Sequence, residues 1–170
     1  PYAQTKGPIM DAITESFVTA FGLILSGDPD LIEIVALSLR VSLSAVAFAV
    51  LIGLPIGAVL AVFRFPGRGA LVVLINALMG LPPVVVGLTV YLVFSASGPL
   101  GVLGLLYTPT AMIIAQTLLV TPIIAALTRQ VLVDLLLEYD ETLRVLGATR
   151  VDVIGTLLWD ARFTLATAFL

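Results

Sequence analysis

The sequence contains no cysteine, no histidine and a single lysine, and each absence removes a class of chemistry. Disulfides, thiol nucleophiles, the usual Cys/His zinc sites and imidazole catalysis are excluded. The lysine, Lys6, precedes a glycine instead of following one, so the phosphate-binding loop GxxxxGK[ST] is missing. We therefore predict no catalytic residues, no metal site and no cofactor in this chain, and the net charge of −3 argues against nucleic acid as a partner.

Charged residues are scarce and unevenly placed. They make up 11% of the chain, whereas soluble domains carry about 25%. Residues 69–128 hold no charge over 60 positions, and ten of the 19 charged residues then fall within residues 129–162. A charge at the bilayer centre costs roughly 2.5–3.5 kcal/mol even on insertion scales. With 60% hydrophobic residues and a mean hydropathy of +1.18, the chain is predicted to be an all-α, polytopic transmembrane helical bundle.

Three membrane crossings are predicted, over residues 41–63, 71–94 and 109–127. The second is expected to kink at Pro82 and Pro83, and the third contains Pro122, since a bundle tolerates proline where neighbours satisfy the freed backbone groups. Residues 163–170 resemble the first turns of a further crossing, so the chain is expected to be truncated at its C-terminus. The arginines at 64 and 68, and those after residue 128, place both segments in the cytoplasm by the positive-inside rule.

The N-terminal part divides into two segments. Residues 1–9 are expected to be a non-native or upstream segment, because the first methionine is Met10. Residues 10–30 predict an amphipathic helix, with Ile13 and Phe17 on the face opposite Glu15, and this helix fits the membrane surface better than a crossing. Residues 31–170 form the membrane domain, which includes a cytoplasmic segment over residues 130–162. Arg40 is interpreted as a charge at the outer headgroup level, with an anion-attracting charge as the alternative.

The cytoplasmic segment predicts two short helices joined by a tight elbow. The first helix is predicted over residues 131–146, and Gly147 suits the left-handed backbone that ends a helix. Thr149 and Asp152 have the spacing of an N-cap residue and its N3 partner in a capping box. The elbow is either a surface for a partner protein or simply a link between two crossings.

At this elbow the sequence resembles a known family. Residues 141–147, with Glu141 and Gly147 at the matching separation, resemble the E-A-A-x-x-x-G loop of the membrane subunits of bacterial ABC importers; Thr142 and Leu143 depart from its alanines. Three further segments resemble the molybdate, tungstate and sulfate permeases, namely residues 64–68, 80–87 and 97–101. Residues 108–116 and 159–163 are most similar to the tungstate permease.

The resemblance implies a type I importer permease in a bacterial or archaeal cytoplasmic (inner) membrane. Two copies would form the pathway as a homodimer in the lipid bilayer, an external oxyanion-binding protein would deliver the anion, and a cytoplasmic ABC ATPase would bind ATP. The elbow would then seat in that ATPase. We expect Glu141 and Arg144 to contact it, Gly147 to make the turn, and Thr149 and Asp152 to cap the second helix.

A pathway for an oxyanion should hold the anion weakly, so neutral donors are preferred over buried arginines. The candidates are neutral polar side chains and backbone groups freed by proline: Asn76, Thr89, Gln116, Thr117, Thr121, Pro82 and Pro83. Each is also explained as a residue that packs helices together. A secondary transporter is disfavoured because the crossings hold no acidic residue, and an intramembrane enzyme because they hold no base. A structural subunit without transport, or a permease for another small solute, stays open.

Overall fold

Every regular element that the computed structural model describes, over residues 8–169, is a helix. The helices are α1 (Pro8–Ser26), α2 (Pro29–Val62), α3 (Arg68–Met79), α4 (Pro83–Phe94), α5 (Pro109–Val145) and α6 (Arg150–Phe169), with one 3-10 turn at Gly101–Leu103. The all-helical prediction is confirmed. The chain divides into two compact units between Arg40 and Val41.

The first unit contains α1 and the start of α2. Helix α1 covers Pro8–Ser26, whereas the amphipathic helix was predicted over residues 10–30. Asp28 caps α2, because its Oδ1 accepts hydrogen bonds from the backbone N–H groups of Asp30 at 3.0 Å and Leu31 at 3.2 Å. Pro29 follows at the first helical position, where its missing N–H costs nothing. Helix α2 therefore begins well before residue 41, the predicted start of the first crossing.

In the second unit, α2 packs along α5 through a stripe of small residues. Buried positions recur every four residues along α2, at Val41, Ala45, Ala49, Gly53, Gly57 and Ala61. A Cβ built on Gly57 would lie only 2.6 Å from the carbonyl oxygen of Ala125, so the two backbones approach too closely for any side chain there. Pro55 lies on the exposed side of α2, and the helix continues through it. This is the small-residue packing that membrane helices use.

The predicted second crossing is two helices instead of one kinked helix. Helices α3 and α4 meet at a bend of 96° across the break at residues 80–82. Leu81 and Pro82 each precede a proline, which disfavours helical backbone, and Pro82 is extended with φ −61° and ψ 135°. Two consecutive prolines also remove two N–H donors. Together, α3 and α4 are long and apolar enough for one membrane span. With this bend, the pair would be either a broken span or a re-entrant loop.

Helix α5 is longer than the sequence suggested. It runs unbroken through Pro122 and through Arg129, so the third predicted crossing and the first helix of the cytoplasmic segment are one element. Its 37 residues extend about 55 Å. Helix α5 contacts α3, α4 and α6, and it packs against α2 through Gly53 and Gly57. By length and composition, α2 and α5 over Pro109–Tyr139 are each able to cross a membrane.

Candidate functional site

The turn between α5 and α6 ends the first helix in a defined geometry. Gly147 has a φ of 66°, which is left-handed backbone, and the N–H of Ala148 donates to the carbonyl oxygen of Leu143 at 3.1 Å. This 6→1 hydrogen bond, which spans the six residues from Leu143 to Ala148, is typical of a Schellman motif. Leu143 and Ala148, the two positions whose side chains often meet in this motif, both pack against the same apolar cluster. The predicted glycine cap is confirmed.

The second helix starts with the capping box that its sequence predicted. The Thr149 hydroxyl donates to Asp152 Oδ2, and the Thr149 backbone N–H donates to the same oxygen at 3.0 Å. The Asp152 N–H in turn donates to Thr149 Oγ1 at 3.3 Å. The hydroxyl bond and then the backbone bond stabilise the charged carboxylate, and so they hold the pKa of Asp152 below its ordinary value. Both helix ends at the elbow are thus satisfied by local partners.

An apolar cluster joins the elbow to the end of α2. Leu132 of α5 and Leu157 of α6 are each 0% exposed, and they pack with Ala58, Ala61 and Val62 of α2. Leucine side chains buried this completely contribute roughly 2–3 kcal/mol each by removal from water. The elbow is therefore anchored by packing, because α2, α5 and α6 share one apolar core directly behind it.

Two arginines complete the end of α2. Arg68 Nε donates to the carbonyl oxygen of Leu60 at 2.7 Å, and Arg150 Nη1 donates to that of Val62 at 2.9 Å. The last carbonyls of a helix have no partner within the helix, and positive charge there also complements the helix dipole. Arg68 opens α3 and Arg150 opens α6, so these bonds hold both helix starts against the same helix end.

The residues predicted to contact an ATPase lie around this elbow. Glu141 is exposed on the last turns of α5, four residues before Val145, where the helix ends. Gly147, Thr149 and Asp152 follow it within the elbow itself. The side chain of Arg144 lies outside those that the structure describes. The contact itself stays a prediction.

The predicted pathway residues are spread over three helices. Asn76 is exposed on α3, Thr89 is exposed on α4, and Pro82 and Pro83 stand at the bend between them. Gln116, Thr117 and Thr121 are half-buried on α5. The three threonine hydroxyls all donate to backbone carbonyls one turn earlier: Thr89 to Val85 at 2.8 Å, Thr117 to Ile113 at 2.7 Å and Thr121 to Thr117 at 2.6 Å.

Thr117 also reaches the neighbouring helix, since its hydroxyl lies 3.4 Å from the carbonyl oxygen of Ala45. This contact places Thr117 on the face of α5 that packs against α2, which is the helix-packing interpretation. Whether any of these residues meets a transported anion stays a prediction.

Sequence reasoning missed several residues that the structure brings together. Arg68 and Arg150 entered the sequence analysis only through the topology, yet both cap α2: Arg68 bonds Leu60, eight positions earlier, and Arg150 bonds Val62, 88 positions earlier. Thr128 is fully buried where α5 passes Gly57, and its hydroxyl forms no hydrogen bond with any residue that the structure describes. The recurrence of small residues at every fourth position of α2 was a usable signal for this contact.

The chain was compared with known proteins. A family model described as "Binding-protein-dependent transport system inner membrane component" matches residues 53–169. The chain is 38% identical over 140 residues to a probable anion ABC transporter permease protein of Haloferax volcanii, covering 82% of this chain and 60% of the relative. It is 39% identical over 145 residues to the tungstate uptake system permease protein TupB of Peptoclostridium acidaminophilum, covering 85% and 64%.

A shorter similarity extends to the sulfate transport system permease protein CysW of Escherichia coli, which is 34% identical over 74 residues, 44% of this chain and 25% of that protein. The chain thus spans about 60% of the length of the first two relatives. The matched region contains the α2–α5 packing, the bend and the elbow.

Proposed function

This chain belongs to the family of binding-protein-dependent transport system inner membrane components, and we propose that it is the membrane-spanning permease subunit of an ATP-driven oxyanion importer. Tungstate is the first candidate substrate, because one relative is named for tungstate uptake over 85% of this chain. Molybdate and sulfate are the alternatives, since all three are tetrahedral dianions, and another relative is named for sulfate transport.

The doubly capped elbow carries the proposal. An ATPase that closes on ATP can move a membrane subunit only through an element that does not deform. Gly147 and the Thr149–Asp152 pair cap both helices at the elbow, and the cluster around Leu132 and Leu157 packs it against α2. Helix α5 then runs without a break from the elbow into its apolar half. A push on the elbow would therefore reach the membrane helices α2 and α5 directly.

The partners follow from this role. The elbow contacts a cytoplasmic ABC ATPase through Glu141 and Arg144, and that partner binds ATP while this chain needs no cofactor of its own. A second copy of the permease completes the pathway, and an external binding protein delivers the oxyanion. The anion passes neutral donors, and the candidates are Asn76, Thr89, Gln116, Thr117 and Thr121 together with the backbone groups freed at Pro82 and Pro83.

Co-purification tests the coupling step. The permease in its natural full length, tagged and solubilised in detergent, is expected to capture the ATPase encoded beside it. Glu141→Lys together with Gly147→Pro should abolish capture, because the first reverses a contact charge and proline cannot adopt a φ of 66°. Glu33→Lys is the matched control, since Glu33 is an equally exposed glutamate in the other unit. Capture by the double variant at the wild-type level would contradict the coupling role of the elbow.

Uptake tests the substrate. Cells that depend on this permease are expected to accumulate labelled tungstate, and unlabelled molybdate and sulfate compete in the order of their affinities. If wild-type permease captures its ATPase and yet supports uptake of none of the three anions, the permease serves another solute. If it captures no ATPase at all, it is a structural subunit.

A further inference from the structure

A cleft of about 590 Å³ lies beside the capped end of α2. Among the side chains that the structure describes, its charged lining consists of Arg64, Arg68 and Arg150, which the sequence separates by up to 86 positions, and none of those described is acidic. None of the three arginines forms an ion pair with any side chain that the structure describes. In a chain with a net charge of −3, three arginines with no ion-pair partner among the described side chains form a concentrated positive site around one cleft.

The arginines are held in place with donors to spare. Each guanidinium carries five N–H donors. Arg68 and Arg150 each donate one hydrogen bond to a carbonyl oxygen of α2. This bond restrains the guanidinium and leaves most of its N–H groups available to a ligand. Arg64 forms no hydrogen bond with the described residues. Guanidinium groups bind phosphate oxygens in pairs, and such charge-assisted bonds are the strong ones.

The rest of the lining is apolar. Val133, Leu136 and Leu137 of α5 and Val153 of α6 face the cleft beside the arginines. A free phosphate or oxyanion gains no binding energy from leucine and valine side chains. A phospholipid has a phosphate that can bind the arginines, and its glycerol and acyl parts can pack against the apolar wall. The positive-inside rule also places these arginines at the cytoplasmic surface, where anionic lipids attract basic residues.

We propose that the Arg64–Arg68–Arg150 cleft binds the phosphate headgroup of an anionic phospholipid. This site adjoins the elbow, because Leu143, Ala148 and Arg150 line it as well, but Glu141 is not among its lining residues. It does not depend on which anion is transported. A bound lipid would link the starts of α3 and α6 across the end of α2. Lipid binding and anion uptake are measured separately, so the failure of one leaves the other standing.

The experiment compares lipid retention by variants of the natural full-length permease assembled with its ATPase. The complexes are reconstituted in vesicles of phosphatidylcholine and phosphatidylglycerol in equal parts, released into mild detergent, and their bound lipids are counted by native mass spectrometry. Arg64→Gln is the main variant, because Arg64 caps nothing and its loss leaves the fold intact. Arg64→Lys keeps the charge, and Arg40→Gln is the control for an exposed arginine outside the cleft.

Arg64→Gln is expected to retain phosphatidylglycerol about fivefold more weakly than wild type, because this is the typical contribution of one basic residue to binding an anionic lipid surface. Arg64→Lys should recover most of that loss, and Arg40→Gln should match wild type. Equal retention by Arg64→Gln and Arg40→Gln would overturn the proposal. Two other results would also overturn it. In the first, inorganic phosphate raises the unfolding temperature of the permease in phosphatidylcholine alone, while phosphatidylglycerol has no effect. In the second, the lipid is displaced whenever the ATPase binds.

Discussion

The guanidinium of Arg150 donates a hydrogen bond of 2.9 Å from Nη1 to the carbonyl oxygen of Val62, 88 positions earlier in the chain. Arg150 is the first residue of α6 and Val62 the last of α2, so the bond joins the elbow to the end of a membrane helix. The apolar cluster behind the elbow makes the same connection through Leu157 and Ala61. The elbow is thereby joined to α2 by both a polar and an apolar contact.

Replacing Arg150 should loosen this connection. Arg150→Gln removes a charged donor from a helix-end carbonyl, and we expect the free energy of unfolding to fall by about 1 kcal/mol. Arg150→Lys should lose less, since it keeps the charge but not the planar fork. Thermal unfolding in detergent, followed by circular dichroism, measures both. An unchanged unfolding temperature for Arg150→Gln would show that the apolar cluster alone holds the elbow to α2.

Gly147 and Gly155 form a matched pair for the elbow. Gly147→Ala places a Cβ on left-handed backbone, and the expected cost is about 1 kcal/mol. Gly155→Ala, five residues into α6 with open space around it, should instead stabilise by roughly 0.5–1 kcal/mol. The two unfolding temperatures should therefore move in opposite directions. A rise of both unfolding temperatures would mean that the elbow does not depend on the left-handed conformation of Gly147.

Asp152 predicts a pH dependence. Its pKa in the folded state lies below the ordinary value near 3.9, because the Thr149 hydroxyl and N–H bind the charged form. The stabilisation is thus present in full above that ordinary value and is lost as the pH falls through the lower, folded-state pKa. Wild type should lose stability relative to Asp152→Asn over this acid window and keep a constant difference at neutral pH. Unfolding by denaturant as a function of pH measures the difference, and parallel curves for the two proteins would exclude the capping box as the cause.

Local signals in the sequence were sufficient for the elbow. The conformation of Gly147 and the pairing of Thr149 with Asp152 depend on neighbours within four residues, and the structure confirms both. The extent of α5 was misjudged because the charges after Arg129 looked like a helix boundary. A charge marks where a helix leaves the hydrocarbon, whereas the helix ends only where a cap stops it, and no cap occurs before Leu146.

Long-range contacts were out of reach for the same physical reason. Nothing near Arg150 in the sequence indicates that its partner is the carbonyl of Val62, 88 positions earlier. The pathway residues depend on how several helices, and a second copy, come together. The 96° bend was underestimated: the prolines predicted a kink, but the combined restriction of Leu81 and Pro82 was not weighed.

The packing of α2 on α5 gives a prediction about the membrane half. Gly57→Ala would place a Cβ 2.6 Å from the Ala125 carbonyl oxygen and 2.7 Å from the Thr128 Cβ, so the helices must move apart. Overpacking of this kind costs about 1–3 kcal/mol. Gly87→Ala on α4 is the matched control, because a Cβ there meets nothing within 4 Å.

Both glycine variants keep helical backbone, so a difference between them reports the close approach and not helix propensity. We expect Gly57→Ala to lower the unfolding temperature of the full-length permease and to reduce anion uptake. Gly87→Ala should keep uptake close to wild type and, like Gly155→Ala, should not lower the unfolding temperature. Because Gly57 lies on the same stripe of α2 as Ala61 in the cluster behind the elbow, a shift there should also reach the elbow. Wild-type stability and uptake in Gly57→Ala would show that α2 and α5 do not stay in this close contact in the membrane.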